Sequence, residues 1–227
     1  MTKRLAVMMA AVVAVAAPPA MAADSPSREE VERWFEAPPE KSAADVNEGE
    51  LVFLRAAPAK PVHHHHNLLV ITDTTLADGW ARLIQCHQNL DQVPAAQILF
   101  SRDRTRDLEI SYQQGIERAW VEGNSVQMKN VGPGAWLCIQ ALSRAVRDNL
   151  DGTWTLRNGP FMRKFLDGYY PMHVSMDVVI ESKRVHFAGI LPRTQQGFQV
   201  WESPGEVGFD AWFEGRLTTE LRFASVR

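Results

Sequence analysis

The stretch ERAWVEGNSVQMKNVGPGAWLCIQAL, Glu117 to Leu142, decides the fold class. Three runs of strand length, Glu117–Glu122, Ser125–Lys129 and Ala135–Leu142, are separated by Glu122-Gly123-Asn124 and Gly132-Pro133-Gly134. The period is two, and the glycine clusters supply turns, as in antiparallel strands joined by short connections. The same grammar extends both ways. Upstream it covers Glu50–Leu54, Asn67–Thr72, Trp80–Cys86, Gln97–Phe100 and Leu108–Tyr112. Downstream it covers Thr153–Arg157, His173–Glu181, Arg184–Ile190, Gly208–Phe213 and Arg216–Phe223. About a dozen short strands predict an all-β, mostly antiparallel sandwich or barrel over residues 50–227.

Two departures from that pattern are expected. Ser25 to Ala37 reads as a short helix, with Ser27 and Glu30 as a capping box, an apolar face of Val31, Trp34 and Phe35, and Pro38-Pro39 as the stop. Residues 23–49 are thus an N-terminal helix and a polar linker. Near 160–167 a short helical plug is predicted. Pro160 stands close to its first position, Phe161 and Phe165 fall on one face, and Gly168 ends it. Phe161, Phe165, Tyr169 and Tyr170 carry more aromatic surface than a loop needs. They read first as a core plug and second as a lip for a partner or ligand.

The first 22 residues predict a secretory signal: basic Lys3 and Arg4, the apolar run Leu5 to Ala17, then Ala20-Met21-Ala22 before the cut. Thirteen apolar residues fall short of the roughly 20 that span a bilayer. The expected location is the periplasm or the exterior, with no membrane span in the mature chain. Cleavage leaves 22 basic residues against 27 acidic ones, a balance that argues against a nucleic-acid partner. In an oxidising compartment Cys86 and Cys138 are expected to form one disulfide.

The most unusual feature is His63-His64-His65-His66. If the tract is extended, His63 and His65 share one face while His64 and His66 share the other. Neutral imidazole suits copper and zinc, and two ligands per face are too few for a closed site. His87, His173 and His186 are the other imidazoles, and Asp73, Asp91 and Glu109 are candidate carboxylates. His87 stands out because it follows Cys86 at a strand end. The competing reading is a solvated strand whose imidazoles pair with backbone and acids. Met172 and Met176 flank His173 as in copper-handling clusters, yet on a strand they fit a core face with Val174 and Val178. Arg102, Arg104 and Arg106 would line one face of an extended Ser101–Asp107, a stripe able to grip phosphate or carboxylate, although a mixed-charge run is first a solvated edge.

No nucleophile elbow, zinc-protease helix, phosphate loop or dinucleotide turn is present, so no local motif marks an enzyme and a binding role leads while catalysis stays open. The leading expectation is an exported β protein that binds copper or zinc through His63, His64, His65 and His66, together with His87, in a buffering, delivery or sensing role. The alternatives are an envelope interaction module that presents a sheet edge or the aromatic lip to a protein partner, and a carrier of a small apolar ligand.

Overall fold

The computed structural model describes residues 47–165 and 168–226, and the expected leader and Ser25–Ala37 helix lie outside them. Among the described residues the chain forms fifteen strands and one short helix. The all-β expectation holds, and the architecture is a sandwich with a rolled extension.

The larger sheet of the sandwich has a central parallel pair. β2 (His64–Ile71) lies between β3 (Trp80–Leu90), to which it is antiparallel, and β11 (Met172–Ile180), to which it is parallel. β14 (Glu206–Glu214) pairs with β11, and β1 (Val52–Phe53) and β13 (Phe198–Ser203) both pair with β14. The facing sheet is β12 (Val185–Leu191), β15 (Leu217–Ser225), β8 (Thr153–Phe161) and β7 (Val146–Asp148), in that order. Period-two alternation fills the space between the sheets. Leu69, Ile71, Met172, Val174, Met176, Val178, Phe209, Phe213, Leu221 and Phe223 are all buried in this core. Met172 and Met176 are therefore packing residues, as the strand spacing suggests.

The second part is a roll. β5 (Thr105–Glu122) and β6 (Ser125–Arg144) form a hairpin of 18- and 20-residue strands, and β3 followed by β4 (Val93–Leu99) runs along the other side of β6. A straight 20-residue strand would be about 65 Å long. Yet Phe100 donates its N–H to Asn124 at one end of β6, and Arg144 at the other end donates to Arg104. The few residues between Phe100 and Arg104 reach at most about 20 Å. β6 must therefore bend back on itself, and it closes around a second core of Ile116, Val126, Met128, Val131, Ala135, Leu137 and Ile139.

Two expectations are corrected, and one element is new. First, Gly132-Pro133-Gly134 is a bend within continuous β6 and not a turn between two strands. The ladders to β3, β4 and β5 have no register partner at those three residues, so Pro133 removes no donor that a neighbour needs. Strand runs that look separate in the sequence thereby merge into longer ones. Second, the helical plug near 160–167 is absent from its described residues. Pro160 and Phe161 end β8, and β9 (Arg163–Phe165) pairs with β10 (Gly168–Tyr170). Gly159-Pro160 forms a bulge opposite Thr218, with Gly159 at φ +98° and its missing Cβ only 2.5 Å from the Leu217 carbonyl oxygen. The new element is Asp73–Asp78, a helix, α1, capped by Thr72 and ended by Gly79 in the left-handed region.

Candidate functional site

Six of the seven histidines gather at one end of the larger sheet. The register explains how: His65 stands opposite His87 on β3, and His64 stands beside His173 on β11. Alternation then divides them. His63, His65 and His87 face inward, in line with the core residues Leu69 and Ile71 of β2. His64, His66 and His173 face outward.

On the inner side, buried Asn67 and Gln85 mark the transition from apolar core to imidazoles. His65 Nε2 meets Asn67 Oδ1 at 2.9 Å, so this nitrogen donates and Nδ1 keeps the lone pair. His87 Nε2 accepts from the Gln85 amide nitrogen Nε2 at 2.8 Å, and His87 Nδ1 lies 2.9 Å from His63 Nε2. The rings of His65 and His87 are 4.6 Å apart, those of His63 and His87 are 5.2 Å apart, and Phe161 sits edge-on to His65 at 4.9 Å. Burial lowers the pKa of His65 to about 3 and that of His63 to about 4, and it holds His87 well below the ordinary value. Mutual repulsion pushes His65 and His87 the same way, while Asp91 partly offsets the shift at His63. All three rings are neutral at pH 7.

On the outer side, Ser175 Oγ lies within hydrogen-bond distance of His64 Nε2 at 2.7 Å and His66 Nδ1 at 2.8 Å. His66 Nε2 is 3.6 Å from Asp177 Oδ2. His173 is stacked between the rings of His64 at 3.8 Å and Trp212 at 4.0 Å, and its Nε2 reaches Asp210 at 2.5 Å. His64 is held at a pKa of about 4, by burial first and by His173 and His66 next. The line Asp177, His66, Ser175 has the connectivity of an acid, a base and a nucleophile. It lacks an oxyanion site. Ser175 is buried in mid-strand between two ladders, where backbone N–H groups are committed to β2 and β14.

The other candidates are dispersed. His186 is exposed on β12 in the opposite sheet, and Asp73 is bonded to Ser182. Asp91 is clamped by Arg163 through two bonds, of 2.7 and 3.2 Å, close to His63. Cys86 and Cys138 face each other across β3 and β6 and are joined in a disulfide, with Cα atoms 4.1 Å apart. Of the lip residues, Phe161 and Tyr169 are buried, and Tyr169 OH accepts from Arg216 Nε at 2.7 Å. Phe165 is exposed and meets Tyr170 edge-on at 5.3 Å, with Arg163 over both rings. Sequence reasoning missed Asn67, Gln85, Ser175, Asp177 and Asp210. Asn67, Gln85 and Ser175 carry one signal, a position two residues from a histidine on the same strand; Asp177 and Asp210 carry none.

Among the described residues no group of three or more His, Cys, Asp or Glu side chains is placed so that it could hold a metal ion. Fold and site together define an all-β sandwich with a two-sided histidine array at one end of its larger sheet. The chain matches no protein-family model, no curated protein and no solved structure.

Proposed function

We propose that the chain binds one copper or zinc ion through the inner-face histidines His63, His65 and His87, in a buffering, delivery or sensing role. One observation carries this reading: two of the three imidazoles have one ring nitrogen pinned by a buried side-chain amide. Ligating histidines ordinarily have such a partner, which fixes the ring and selects the nitrogen that meets the metal. Donation from His65 to Asn67 leaves Nδ1 as ligand. At His87 the Gln85 amide nitrogen donates to Nε2, so Nδ1 carries the proton toward His63 Nε2 and becomes a ligand only once that amide turns its oxygen to the ring. Three imidazoles with an open fourth position are a familiar set for zinc. Lowered pKa values mean that no proton must leave a ring at pH 7 before metal enters.

The fit requires a small movement. Two nitrogens on a tetrahedral ion with bonds of 2.0–2.1 Å stand about 3.3 Å apart. His63 Nε2 and His87 Nδ1 are 2.9 Å apart and share a proton, so they must part by a few tenths of an ångström. Metal on His87 Nδ1 also requires Nε2–H to donate, so Gln85 must present its oxygen. His64 and His66 belong to the other face and are not ligands of this ion.

The test is calorimetric titration of metal-free protein, lacking any affinity tag, with Zn2+ and Cu2+. About one equivalent is expected in wild type and in His64→Gln/His66→Gln, with loss in His63→Gln/His87→Gln. Circular dichroism confirms that each variant is folded. Absence of stoichiometric binding in wild type, or equal loss in both folded variants, overturns the assignment.

A further inference from the structure

Between the roll and the sandwich lies a cleft of about 230 Å3, lined by Arg104, Arg144, Arg157, Asn67, Gln85 and Asn158 together with serine, threonine and apolar residues. No acidic residue lines it. Arg104 comes from the charged run Ser101–Asp107, and the structure divides that run's three arginines. Arg102 reaches Asn124, Arg106 lies over the Trp80 ring, and Arg104 lines both this cleft and the hollow beside it.

The arrangement is costly as a purely structural device. Thr105 pairs with Ser143, and the Arg144 N–H donates to the Arg104 carbonyl, so two arginines stand across adjacent strands. Like charges so placed destabilise a sheet by roughly 0.2–1 kcal/mol. Among the described residues neither Arg104 nor Arg144 forms an ion pair. Arg157, from the opposite sheet, has an exposed pairing with Glu220 at 3.7 Å; all three arginines also line the adjoining hollow, whose acidic residues Asp78, Asp103, Asp148 and Glu220 do not line this cleft. Two guanidinium groups without an ion pair among the described residues, a third beside them and three side-chain amides make the cleft rich in hydrogen-bond donors.

We propose that this cleft binds a small molecule carrying a carboxylate or phosphate group, with Arg104 and Arg144 gripping the oxyanion. Guanidinium supplies paired N–H donors that match either anion. The volume lies below the usual range for drug-sized ligands and suits a compact polar one. Asn67 and Gln85 line the cleft and also hold His65 and His87 on the neighbouring side, so the two sites share a wall.

Calorimetry on metal-free wild type with malonate, inorganic phosphate and glucose tests the assignment. Saturable 1:1 binding of malonate or phosphate is expected, with affinity falling as salt rises and no heat from glucose. Preference for one anion identifies the group. In Arg104→Gln/Arg144→Gln the affinity should fall at least tenfold, while zinc titration is unchanged. The conclusion is overturned if neither anion saturates, or if the double variant binds as wild type does, the arginines then being solvated charges. Because the zinc arm is separate, failure here and failure of the histidine site are distinguishable.

Discussion

Acid should unfold the metal-free protein through its inward-facing imidazoles, and His65 gives the magnitude. Its pKa is lowered from 6.5 to about 3 in the native state. Above pH 6.5 neither the folded nor the unfolded ring holds the extra proton, so stability does not respond to pH through this group. Between 6.5 and 3 the unfolded chain binds a proton that the native state refuses, and stability falls as pH falls. At pH 5 the loss from His65 alone is about 2 kcal/mol. With a urea dependence of roughly 2 kcal/mol per molar, the midpoint moves down by about 1 M. His63 and His64, each near 4, act in the same direction. Urea denaturation followed by tryptophan fluorescence at pH 7.5 and pH 5.0, on wild type and His65→Gln, isolates the term. The variant should lose about 2 kcal/mol less than wild type across this interval. Equal losses in the two proteins would refute the argument that the ring is held neutral by burial.

Other consequences can be measured on the same preparations. Thr219 Oγ1 is buried without a hydrogen-bond partner among the described residues, beside the Gly159-Pro160 bulge, so Thr219→Val should raise stability by about 1 kcal/mol in thermal unfolding. The outward-facing Trp201 ring lies against Gly208, whose added Cβ would sit 2.3 Å from Cζ2. Gly208→Ala should displace the ring and shift tryptophan emission to the red. Replacing Cys86 and Cys138 by serine opens a loop with a sequence separation of 52 residues and should cost up to about 4 kcal/mol in urea titration.

What the sequence discloses follows from which forces are local. Alternation places Met172, Val174 and Met176 in the core, because a strand's two faces are set by its own residues. The division of the His63–His66 tract is legible for the same reason. The helix expected near 160–167 fails because Phe161 and Phe165, four apart, share a face under either a helical or a strand period. Gly159 and Pro160, which suggest a helix start, instead build a bulge whose partner is Leu217–Thr219, far along the chain. Pairing is the illegible part. Nothing near His64 announces His173, and nothing near Arg104 announces Arg157. The outward serine and aspartates look like ordinary strand polarity until β11 and β14 are laid beside β2.

The central position of β2 sets an order of assembly for its two faces. His63 and His87 are 24 residues apart, and their contact requires only the β2–β3 pairing. His64 and Ser175 are 111 residues apart and meet only when the distant β11 arrives alongside in parallel. Closing the longer loop costs more chain entropy, so the inward trio is available to a nascent chain before the outward stack exists. A metal ion or proton present during folding would therefore meet one face of the array first. The ring stack of His64, His173 and Trp212, by contrast, exists only once the C-terminal half has docked.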